Sequence, residues 1–95
     1  MTPFIGSIYS PDGSLLAGDV EGYIERRHSG GSTSWSGVLT APPVPGGLMM
    51  HDSIVLKTDA GFSGAIRVLQ GRTNSKRSGY VDFDFINNGK PLEGF

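Results

Sequence analysis

The sequence predicts an all-β protein, a small antiparallel barrel of about six strands bent at glycines, with a small β-sandwich as the alternative. Three observations carry that expectation. Fifteen glycines and six prolines punctuate the 95 residues so closely that no interval favours a helix of ~10 or more residues. Apolar and polar residues alternate with a period of two in successive runs, the pattern of strands with one buried face. Glycines at Gly6, Gly18, Gly22, Gly37 and Gly64 fall inside those runs. Interior strand glycine is kept where strands coil sharply or backbones approach closely, as at the corners of a small closed barrel, and closure removes exposed edges.

The elements follow in order. The first strand is Phe4–Tyr9, ended by Ser10-Pro11-Asp12-Gly13, in which proline presets φ for a turn and Asp-Gly closes it. The long run Leu15–Arg27 places Val20, Gly22 and Ile24 opposite Asp19, Glu21, Tyr23 and Glu25, with Gly18 and Gly22 bending it. A loop is expected over His28–Ser34, a strand over Trp35–Leu39, and a second loop over Ala41–Gly47, extended to Pro45 and turned at the glycine pair. Ser53–Thr58, the turn Asp59-Ala60-Gly61 and the run from Phe62 to Val68 make a hairpin, with Ile54, Leu56, Phe62, Ile66 and Val68 inward. The last strand sets Val81, Phe83 and Phe85 against Tyr80, Asp82 and Asp84, and after Asn87-Asn88-Gly89 the tail can fold Leu92 and Phe95 over the core. Gly22-Tyr23-Ile24 and Gly64-Ala65-Ile66 share a weak pattern, read as one barrel-corner solution used twice.

The whole chain, residues 1–95, is expected to form one domain. Eight basic against nine acidic residues give a formal charge of −1, so no whole-molecule field draws the protein to nucleic acid or anionic lipid, and any polyanion site is a local patch. Cysteine is absent, which excludes disulfides, thiolate catalysis and cysteine-type zinc sites. MTPFIGSIYSPDG has neither a basic n-region nor an apolar h-region, and no apolar run reaches ~18 residues. A soluble protein is expected, with a cytoplasmic location favoured, no membrane contact and no cofactor.

The residues that invite a functional reading form two groups. GRTNSKRSG, Gly71–Gly79, places Arg72, Lys76 and Arg77 among hydroxyls and amides that suit an anion. Arg67, or Arg26, Arg27 and His28, extend that patch if the fold brings them together. Tyr80 and Tyr23 are the candidate stacking platforms beside it. A solvated hairpin loop is the plainer reading of the same residues. The second group, Trp35, Met49 and Met50, suits an interaction surface, although Trp35, in register with Gly37 and Leu39, is expected to plug one end of the barrel. Asp82 and Asp84 share a strand face ~7 Å apart and are expected to be outward residues paired with Arg67 and Lys57. His51-Asp52-Ser53 holds the residue types of a hydrolytic triad, but strand neighbours face opposite ways. No nucleophile elbow, HExxH, GxxxxGK[ST] or GxGxxG occurs. The expected function is a non-enzymatic interaction module, binding a protein partner or another copy of itself. The alternative is an anion- or nucleic-acid-binding barrel that uses the 71–79 loop, and a small hydrolytic or metal-dependent enzyme stands third.

Overall fold

The structure, a computed structural model, describes residues 2–44, 47–48 and 53–89. Its six strands are β1 (Thr2–Tyr9), β2 (Leu15–Ser29), β3 (Ser32–Ala41), β4 (Ile54–Thr58), β5 (Ser63–Thr73) and β6 (Val81–Asn87). They close into an antiparallel barrel in the order β1-β2-β3-β6-β5-β4, so the sandwich alternative does not hold. Two three-stranded meanders, β1-β2-β3 and β4-β5-β6, are joined by the β3–β6 and β1–β4 pairings. The two Gly-x-Ile segments lie on β2 and β5, the middle strands of the two meanders. Met49, Met50, His51, Asp52, Leu92 and Phe95 lie outside the described residues.

The inward sets are those expected from the alternation. Val20, Ile24, Leu39, Ile54, Leu56, Ile66 and Phe85 are buried, and Phe4 meets Phe62 and Phe85 edge to face at centroid distances of 5.7 and 6.3 Å. Trp35 is buried at 6% exposure beside them, and Leu48, from the connection between β3 and β4, is buried at 1%. Each such side chain removed from water contributes roughly 1.5–3 kcal/mol.

The tightest corner lies between β2 and β3. A Cβ on Gly22 would stand 2.0 Å from the Val38 carbonyl oxygen, and one on Gly37 would stand 2.1 Å from that of Tyr23. Both glycines are therefore required by the approach of two backbones. Gly18 is different: the nearest atom to its would-be Cβ is Leu15 Cδ2 at 3.9 Å, so no close approach requires a glycine there, and the β1–β2 register slips by one residue beside it, between Ala17 and Val20.

Two boundaries differ from the expectation, and both matter for the site. The span His28–Ser34 is not a loop. Pairing continues through Arg26↔Trp35 and His28↔Thr33 to Ser29↔Ser32, and Gly30-Gly31, with φ of 56° and 84°, make the two-residue turn that only residues tolerant of positive φ allow. Likewise β5 runs past Val68, through a register shift between Val68 and Gln70, to Thr73. The loop from 71 to 79 thus shrinks to 74–80, and Arg72 stands on a strand opposite Asp82.

Candidate functional site

Antiparallel register aligns the outward residues of neighbouring strands in rows. Ile5, Glu21, Thr40, Asp82 and Arg72 form one row across β1, β2, β3, β6 and β5. Pro3, Tyr23, Val38, Asp84 and Gln70 form the next, and Glu25, Ser36, Ile86 and Arg67 a third. The basic segment and Arg27 lie on this one face.

The face carries its own counter-charges. Arg72 donates two hydrogen bonds to Asp84, at 2.8 and 2.9 Å, and Gln70 donates a third. Hydrogen bonding from Arg72 first, and from Gln70, lowers the Asp84 carboxyl to about 2. Asp82 accepts from Thr40 at 2.5 Å and from Asn74 at 2.9 Å, and these bonds lower its pKa as well. The partners of the two aspartates are therefore Arg72, Gln70, Thr40 and Asn74, not Arg67 and Lys57. The ammonium of Lys57 instead lies over the Tyr9 ring, 4.9 Å from its centre.

The 74–80 loop is tied down from within. The Asn74 side-chain carbonyl accepts from the amides of Lys76 and Arg77 at 2.8 and 2.7 Å, the local turn that asparagine favours. Those two amides, the ones an anion would need, are thereby occupied. Arg77 stacks on the Tyr80 ring, 3.7 Å from its centre, and donates to Asp19 at 3.1 Å and Glu21 at 3.3 Å. The Tyr80 hydroxyl donates to Asp19 at 2.7 Å. That bond, followed by the one from Arg77, lowers the pKa of Asp19, and the same Tyr80–Asp19 bond raises that of Tyr80. This is a clasp between the loop and β2. One face of the Tyr80 ring is covered by a guanidinium, so the residue is not open for stacking on both sides.

Arg26 and Arg27, as strand neighbours, point to opposite sides. Arg27 joins the face described here and pairs with Glu25 at 2.7 Å. Arg26 and His28 share the inward parity of Ile24 beyond the end of the barrel, where His28 Nδ1 and Thr33 Oγ1 are hydrogen-bonded at 2.9 Å. Arg26 and His28 therefore do not converge with Arg72, Lys76 and Arg77. Trp35 lies inside the barrel rather than on its surface.

Tyr23 is the residue this geometry brings forward. Its side chain is half exposed and borders three recesses of the face. One, of about 710 Å³, is framed by Pro3, Ile5, Asp59 and Ala60. A second, of about 330 Å³, is framed by Thr40, Arg72, Ser75, Lys76 and Asp82. The third, of about 360 Å³, is framed by Val38, Leu69, Ile86 and Arg27. Ile5 and Leu69 are 59% and 48% exposed. The sequence carries a signal for Ile5 and Tyr23, which alternate out of phase with Phe4 and Ile24. It carries the same signal for Leu69, out of phase with Ile66 and Val68; the register shift that follows in β5 is what turns Gln70 and Arg72 outward.

Among the described residues no group of three or more His, Cys, Asp or Glu is placed to hold a metal ion, and no helix is long and apolar enough to cross a membrane. No protein-family model matches the chain, and neither a curated protein nor a solved structure gives a significant match.

Proposed function

We propose that the protein is a non-enzymatic interaction module that binds a protein partner through the outer face centred on Tyr23. One observation carries the reading: three recesses meet at a half-exposed tyrosine, flanked by exposed Ile5 and Leu69. A tyrosine ring offers a large contact area with few torsions to immobilise, which is why aromatic anchors dominate protein interfaces.

The charges of the face support the same reading. Arg27, Arg67, Arg72, Lys76 and Arg77 are equalled in number by Asp19, Glu21, Glu25, Asp82 and Asp84, and most of them are already paired across or along the strands. A polyanion would have to displace Asp84 from Arg72 and Asp19 from Arg77 before gaining those cations. The anion- or nucleic-acid-binding alternative therefore has fewer free groups than the sequence suggests.

The test pans displayed random peptides on the whole protein and on Tyr23→Ala, beside size-exclusion chromatography with light scattering at low and high salt, with and without a mixed-sequence oligonucleotide. We expect peptides that bind the wild type and are lost on Tyr23→Ala, and elution indifferent to the oligonucleotide. A salt-sensitive shift with the oligonucleotide, with a log-log slope of about −0.7 per phosphate contact, would establish the nucleic-acid reading instead.

A further inference from the structure

The two recesses that share Gly22, Tyr23 and Thr40 form one trough with unlike ends. It follows the row from Ile5 through Glu21 and Thr40 to Asp82, crossing the strands from β1 to β6. At the β1 end stands Asp59, whose backbone amide donates to the Ile5 carbonyl at 2.8 Å and whose carboxylate has no partner among the described residues. At the other end stands Lys76, whose ammonium has no partner among the described residues either. The other charged groups of the trough are engaged: Arg72 by Asp84, Asp82 by Thr40 and Asn74, and Glu21 by Arg77. What remains open is one carboxylate, an apolar stretch of Pro3, Ile5, Ala60 and Tyr23, and one ammonium.

Building on the Tyr23-centred reading above, we infer that the occupant is an extended peptide segment of a partner protein, lying across the strands with a basic residue over Asp59, an apolar side chain against Ile5 and Tyr23, and an acidic residue at Lys76. Charge complementarity sets which end of the segment stands over Asp59. Strand spacing sets its length: β1 to β6 is three interstrand steps, about 14 Å, which about four or five extended residues cover at ~3.3 Å each. Both unpaired charges are exposed, so each adds modestly to affinity and chiefly fixes which sequence is accepted.

The experiment pans a library of random displayed heptapeptides against the whole wild-type protein, Lys76→Glu, Asp59→Lys, the double exchange, and Tyr23→Ala. Wild type should enrich peptides with Lys or Arg about four positions from Asp or Glu, and an apolar residue between them. Because the apolar lining lies at the Asp59 end, the double exchange should enrich the same charge spacing with the apolar residue nearer the acidic than the basic residue, the opposite of wild type, and each single exchange should weaken wild-type peptides about three- to fivefold. Neither position bonds its side chain among the described residues, so the charge variants should keep the wild-type melting transition. Tyr23-dependent peptides with no such charge spacing, or with the apolar residue at the same end after the double exchange, would overturn this inference and leave the interaction-module reading standing. Peptides that survive Tyr23→Ala, or no enrichment at all, would overturn both. Oligonucleotide binding lost on Lys76→Glu would replace the peptide by a polyanion.

Discussion

Gly22→Ala and Gly18→Ala make a paired test of the barrel corner, because the two glycines belong to one strand and differ in what surrounds them. At Gly22 the new methyl would lie 2.0 Å from the Val38 carbonyl oxygen and 2.9 Å from Leu39 Cα, where real Cβ atoms essentially never come within 3.0 Å. Both obstacles are backbone. The β3 carbonyl must therefore retreat by about 1 Å, and it is held in the β2–β3 ladder through Tyr23↔Val38. Overpacking costs ~1–3 kcal/mol, and one or two distorted ladder hydrogen bonds add ~1 kcal/mol each, for about 3–4 kcal/mol in all. A chain of this length has a total stability of roughly 5–14 kcal/mol, so the melting temperature should fall by about 12–30 °C. Gly18→Ala meets nothing closer than 3.9 Å and needs no positive φ; it should stabilise by ~0.4–1 kcal/mol through the unfolded chain. Urea denaturation, read as a shift of the midpoint at constant slope, measures both. A Gly22→Ala midpoint within about 0.5 kcal/mol of wild type, after allowing for the slope, or Gly18→Ala as damaging as Gly22→Ala, would refute the argument.

Three further outcomes are expected. Asn87→Ala should cost about 1–2 kcal/mol in urea denaturation, because the Asn87 side-chain carbonyl accepts the Trp35 amide at 2.9 Å, one position past the last β3–β6 pair, and a half-buried amide would lose that acceptor. The folded-state pKa values of Asp84 and Asp12 are depressed to about 2, by Arg72 and Ser10 first, and those of Asp82 and Asp19 are lowered too. Their stabilisation is thus complete above the ordinary carboxylate range near pH 4 and is lost as pH falls toward 2; thermal melts from pH 7 to 2 should show a plateau and then a decline, and Asp84→Asn should make the decline shallower. Arg77→Ala should leave the melting transition near wild type but speed amide exchange across residues 74–80, since it removes both the stack on Tyr80 and the bonds to Asp19 and Glu21.

The architecture was legible because burial imposes period two on every strand of a small barrel, and Val81/Phe83/Phe85 against Asp82/Asp84 is that rule in its plainest form. The His28–Ser34 hairpin was missed although Gly30-Gly31 is a two-residue turn signal, because polar residues around it hid the alternation. The bulge in β5 was missed because nothing in Val68-Leu69-Gln70 announces a register shift. The candidate site was less legible for a related reason. Composition locates Arg72 and Arg77 but not their partners, which stand 12 residues away at Arg72↔Asp84 and 58 away at Arg77↔Asp19 and meet only through register. Tyr23 was visible as an outward aromatic, yet its place between three recesses depends on β1, β3, β5 and β6 together.

The shortest strand has a consequence of its own. β4 spans only Ile54–Thr58, and it joins its neighbours from Gly6↔Thr58 to Tyr9↔Val55 on one side and from Ile54↔Ile66 to Lys57↔Ser63 on the other. It is the stave that turns an open, curled sheet into a ring, and it is held by less ladder than the β2–β3 hairpin, which runs from Glu21↔Thr40 to Ser29↔Ser32. Transient opening should therefore begin there, with β4 swinging out as a gate while the β2–β3 hairpin stays zipped. A gate that opens uncovers the ladder edges of β1 and β5 that β4 otherwise covers. The barrel's shortest strand is thus also the place where the closed ring is least firmly fastened.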